Sequence, residues 1–81
     1  MGANATLRTL FIGGLPPETD DGTLQGLLAA FKGITRLRLI QRPSGRFGYA
    51  TFETEEAARR ALHDLDGIEV GDARLRVAPA V

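Results

Sequence analysis

Three aromatic side chains, Phe11, Phe47 and Tyr49, sit in two short apolar runs whose residue types alternate. In an extended chain successive side chains point to opposite faces. Phe47 and Tyr49 therefore share one face of their run with Thr51, while Gly48, Ala50 and Phe52 share the other. Phe11 is set in the same way against Leu10 and Ile12. Arginines recur at the same two-residue spacing: Arg36 and Arg38 alternate with Leu37 and Leu39, and Arg74 and Arg76 with Leu75 and Val77. A flat aromatic ring can stack an unpaired nucleobase for about 1–3 kcal/mol, and a guanidinium can meet a phosphate or itself stack. Rings and arginines on one face are thus the equipment for holding single-stranded nucleic acid.

Catalytic chemistry is poorly supplied. Among 81 residues there is one His (His63), one Asn (Asn4), and neither Cys nor Trp. That composition excludes a thiol nucleophile, a disulfide framework and a thiolate metal site, and it removes most catalytic triads. The ring face holds no acid, base or nucleophile that a reaction could use. The chain is therefore expected not to be an enzyme and to need no cofactor or metal. His63 lies two residues past Ala61 in a helical pattern and reads as an ordinary exposed side chain. Gly13-Gly14 leads into Leu15-Pro16-Pro17, with no Lys-Ser pair following, so it reads as a turn and not a phosphate loop. The acidic starts of both helical patterns complement helix dipoles and offer no converging carboxylates.

The 10 basic and 10 acidic side chains cancel in sum, but not in place. Arg36, Arg38, Arg42 and Arg46 lie between Ile34 and Phe52 with no acid among them. Glu18, Asp20 and Asp21 precede one helical pattern, and Glu55 and Glu56 begin another. Distribution matters more than net charge for a polyanion.

The elements that position these groups follow from periodicity. Leu7–Ile12 reads as a strand, and Thr19 or Asp20 as the cap of a helix whose apolar face is Leu24, Leu27, Leu28 and Phe31. Gly22 and Gly26 weaken that helix by about 1 kcal/mol each, and Gly33 ends it. From Ile34 to Gln41 the period changes to two, and Arg42-Pro43-Ser44-Gly45 is turn chemistry. A third strand runs from Arg46 to Glu53. Thr54 caps a second helix carrying Ala57, Ala58, Ala61, Leu62 and Leu65, which Gly67 closes. Ile68 and Val70 suggest a short extra strand, and Ala73–Ala78 a last one, with Leu75 and Val77 inward and Pro79 stopping the ladder. Strand, helix, strand, strand, helix, strand predicts an α+β fold, the ferredoxin-like α/β plait: a four-stranded antiparallel sheet with two helices on one face. The uncovered face would carry Phe11, Phe47 and Tyr49 with Arg36, Arg38, Arg74 and Arg76. The remaining aromatics, Phe31 and Phe52, belong to the core.

With those residues in place, the chain resembles the RNA recognition motif family from about Leu7 to Ala78. The family's hexamer motif corresponds to Leu10-Phe11-Ile12-Gly13-Gly14-Leu15 and its octamer motif to Gly45-Arg46-Phe47-Gly48-Tyr49-Ala50-Thr51-Phe52. The resemblance implies that Phe11 and Tyr49 each stack a base and that Phe47 packs on sugars between them. Two positions depart from the pattern. The octamer usually starts with a basic residue and then Gly, whereas here Gly45 precedes Arg46; and the hexamer's fifth position, often Asn, is Gly14.

The expected partner is single-stranded RNA. Arg36, Arg38, Arg74 and Arg76 would meet phosphates or base edges, with Arg42 and Arg46 embracing the strand from a mobile loop. A protein-interaction module of the same fold, using its sheet or its helical face, is the rival reading. An acylphosphatase-like hydrolase would need an ordered Asn, and Asn4 lies in the lead-in. One domain over 7–79 after a disordered lead-in, 1–6, suits this length. No apolar run approaches the ~20 residues that cross a bilayer, and Met1–Thr9 holds no leader-like stretch. A monomer in an intracellular setting, nuclear or cytoplasmic and away from membranes, is expected. Within the lead-in, the myristoylation pattern at Gly2 and the glycosylation pattern at Asn4 read as incidental.

Overall fold

The computed structural model describes residues 8–80. The lead-in, with the patterns at Gly2 and Asn4, and Leu7 lie outside them. The elements run β1 (Thr9–Leu15), α1 (Asp21–Leu27), β2 (Ile34–Arg42), β3 (Gly45–Phe52), α2 (Glu55–Leu65), β4 (Glu69–Val70), β5 (Ala73–Arg74) and β6 (Arg76–Pro79). Four strands form one antiparallel sheet in the order β2-β3-β1-β6, and β4 with β5 makes a separate hairpin.

The inward face follows the alternation. Leu10 and Ile12 of β1, Ala50 and Phe52 of β3, and Val77 of β6 are buried against Leu24, Leu28, Ala58, Ala61 and Leu65 from the helical side. Gly48 belongs to this face: a methyl group there would lie 3.0 Å from Leu24 Cδ2 and 3.1 Å from the Arg38 carbonyl. Its lack of a side chain lets α1 settle directly on β3. The small alanines of α2 do the same for the second helix.

Both helices start where capping chemistry places them. The Asp20 carboxylate accepts from the Thr23 amide at 2.8 Å and the Thr23 hydroxyl at 2.8 Å. Those donors, the amide first, hold its pKa below the ordinary aspartate value. Thr54 Oγ1 accepts from the Ala57 amide at 3.1 Å. α1 is shorter than its apolar pattern. Beyond Leu27 the amides of Ala29 and Phe31 reach back only three residues, to Gly26 and Leu28, so the chain tightens and Phe31 sits half-buried past the helix.

Three sequence expectations are corrected. Gly13-Gly14 is not a turn but part of β1, with a register shift between Ile12 and Leu15. Gly14 has φ +75°, and a side chain there would strike the Arg74 carbonyl. The β2–β3 connection is only Pro43-Ser44, so Arg42 and Arg46 stand within strands, cross-paired as Arg42↔Gly45 and Gln41↔Arg46, and not in the loop expected to carry them. The last strand is split. The Leu75 amide donates to the Ile68 carbonyl at 2.8 Å and the Gly67 amide to the Leu75 carbonyl at 2.9 Å, which draws 73–74 into the small hairpin. Strand β6 then restarts with the Val77 amide donating to the Asp66 carboxylate at 3.0 Å, and it takes in Pro79.

Candidate nucleic-acid interface

Cross-strand pairing places the candidate residues in rows across the helix-free face. One row holds Arg38, Tyr49, Phe11 and Ala78, through the pairs Arg38↔Tyr49, Phe11↔Tyr49 and Phe11↔Ala78. The next holds Ile40 opposite Phe47, with Gly13 opposite Arg76 further along. On the other side lies Arg36 opposite Thr51, itself opposite Thr9. The two central strands, β1 and β3, carry the rings, and arginines stand on the two edge strands.

Phe11 lies 5.5 Å from Phe47 and 5.8 Å from Tyr49 between ring centroids, and Phe47 lies 6.0 Å from Tyr49. The pairs are tilted or edge-to-face, the geometries that aromatic quadrupoles favour. Each ring is half-buried, although neither α1 nor α2 covers this side. The rings shelter one another, and the Phe11 ring lies over Gly13, where an added Cβ would come within 2.8 Å of its Cε2. They form a preorganised platform whose outer faces remain available for stacking.

Beside Tyr49, the residues Thr9, Arg36, Arg38, Thr51 and Ala80 complete a cleft of about 310 Å³. The Thr9 and Thr51 hydroxyls hydrogen-bond each other at 3.0 Å. The sequence placed Thr51 on the ring face without a role, and Thr9 escaped, although its parity with Phe11 was the signal that could have found it.

Of the candidate arginines, Arg36, Arg38 and Arg76 sit on the ring face and Arg42 ends the same row of β2. All four are exposed. Among the described residues the ion pairs are Arg59–Glu55 at 2.7 Å and Arg74–Glu69 at 2.9 Å, so these four have no carboxylate partner there. Two candidates are elsewhere. Arg74 belongs to the β4–β5 hairpin, where Glu69 holds it, because Leu75 leaves the sheet ladder at that point. Arg46 pairs with Gln41 on the side of Leu37 and Leu39; it is half-buried, and its charge is close enough to Asp20 to help lower that pKa. The structure therefore does not bring Arg46 or Arg74 together with the rings.

The comparisons with known proteins agree with this geometry. The glycine-rich RNA-binding protein 2, mitochondrial, of Arabidopsis thaliana is 40% identical over 75 residues, which are 88% of this chain and 48% of that protein. The chain thus spans about half the length of that curated relative. Among solved structures, the MEC-8 C-terminal RRM domain bound to AGCACA is 32% identical with a TM-score of 0.80, covering 90% of this chain and 89% of that one. The Sex-lethal RNA recognition domains 1 and 2 from Drosophila melanogaster give 28% and 0.81, covering 91% and 50%. The RNA recognition motif profile matches residues 10–76. Since that match enters in β1, takes in both helices and both motifs, and ends in β6, the chain belongs to the RNA recognition motif family.

Proposed function

We propose that this domain is a non-catalytic RNA-binding module that holds a short single strand across its helix-free face. The observation that carries the reading is the cluster of Phe11, Phe47 and Tyr49 on that face, between edge-strand arginines without carboxylate partners among the described residues. Phe11 and Tyr49 each stack a base, and Phe47 packs on the sugars between them. Arg36, Arg38, Arg42 and Arg76 meet the phosphates or base edges. Membership of the RNA recognition motif family supports the same reading, as does the MEC-8 domain bound to AGCACA. All of these groups come from one chain, so a monomer suffices, and no step of binding calls for catalysis.

The test is titration of labelled short RNA against the Phe47→Ala/Tyr49→Ala variant, followed by anisotropy. Losing the Tyr49 stack, about 1–3 kcal/mol, together with the Phe47 sugar contact should weaken binding roughly 5-fold or more while amide spectra stay those of a folded domain. Unchanged affinity in a folded variant would refute the reading.

A further inference from the structure

The cleft beside Tyr49 has a hydrogen-bonding character of its own. Its polar lining is Arg36 and Arg38, which only donate, and the hydroxyls of Thr9, Thr51 and Tyr49, which donate and accept. The Thr9 and Thr51 hydroxyls hydrogen-bond each other at 3.0 Å, so one O–H of that pair stays free. Two nearby carbonyls are already engaged, Thr51 by the Thr35 hydroxyl at 3.3 Å and Thr9 by the Ala80 amide at 2.9 Å. Among the described residues no carboxylate lines the cleft. At about 310 Å³ it has the size of a small-molecule site and exceeds what a lone phosphate needs.

Resting on the RNA-binding reading, we infer that this cleft is a base-selective subsite that prefers guanine in the bound strand. Guanine presents two adjacent acceptors, O6 and N7, which a guanidinium fork meets in bidentate fashion. Adenine and cytosine present amino donors on the corresponding edge, which would face the donors of Arg36 and Arg38. The other face of the base is free to lie against Tyr49. Arg38 is the nearer candidate for the fork, since it stands directly across from Tyr49 in the ladder, and Arg36 is across from Thr51.

The experiment uses the intact chain and labelled uridine hexamers carrying one guanosine, adenosine, cytidine or 7-deazaguanosine at each position in turn. Guanosine at one position should bind roughly 5- to 150-fold more tightly than adenosine or cytidine there, and 7-deazaguanosine, which lacks the N7 acceptor, should lose most of that gain. In Arg36→Lys/Arg38→Lys, charge is kept but the planar fork is lost. The guanine-to-adenine ratio should fall close to one while the salt dependence of binding is retained. Equal affinity for every base at every position overturns the inference, since the arginines then serve phosphates alone, yet leaves RNA binding standing. An unchanged ratio in the lysine variant overturns it too. Failure of every hexamer to bind would defeat the underlying reading as well.

Discussion

The two faces of the sheet are made from the same strands, and neighbouring residues on them do different work. On the helix side Leu10, Ala50 and Phe52 are essentially without solvent contact, locked among Leu24, Ala58 and Leu65. One residue along, Phe11, Phe47 and Tyr49 touch mainly each other and keep a face toward solvent. The inner face stores stability, because burial removes apolar area from water and tight packing makes each methylene count. On the proposed reading the outer face supplies affinity: its rings are already gathered, so little ring ordering would remain when a strand arrives.

Substitutions that separate these roles should break the comparison if it is wrong. The largest effect belongs to Phe52→Ala, whose cavity should cost about 3–5 kcal/mol, read by urea denaturation. That is a large part of the roughly 4–12 kcal/mol that a chain of this size commands. Tyr49→Ala, three residues away, should instead lose about 1–3 kcal/mol of RNA affinity and remain cooperatively folded. If Tyr49→Ala unfolds the domain as readily as Phe52→Ala, the division of faces fails.

A smaller change sharpens the contrast from the helical side. Gly26 is exposed within α1, and an added methyl there meets nothing within 4 Å. Gly26→Ala should therefore raise stability by about 1 kcal/mol and leave RNA affinity unaltered, as thermal melts and anisotropy would show. Smallest is Arg74→Ala. Its ion pair with Glu69 is exposed and worth about 0–1 kcal/mol, and it stands outside the four-stranded sheet. The slope of log affinity against log salt should stay as it is, whereas Arg76→Ala should reduce it by about one. A matching drop for Arg74→Ala would return that residue to the interface.

The strongly alternating strands were readable from sequence because parity is local: Phe47, Tyr49 and Phe52 fall on their faces whichever strand they pair with. The cap at Thr54 was readable for the same reason, and the first cap was narrowed to Thr19 or Asp20, of which the structure uses Asp20. What escaped depends on distant partners. The split of the last strand is fixed by Leu75 bonding with Gly67 and Ile68, and by Asp66 receiving Val77, across a hairpin that no periodicity encodes. Gly14 reads as turn chemistry in isolation, and only the approach of the Arg74 carbonyl explains it as a strand irregularity. The Thr9–Thr51 contact likewise exists only once β1 and β3 are in register.

The most direct measurement is chemical-shift mapping of the labelled domain while a short single-stranded RNA is added. The rings of Phe11, Phe47 and Tyr49 and the amides of β1 and β3 should shift together and saturably, with α1 and α2 nearly still. Shifts confined to the helices, with the three rings unmoved, would contradict the account.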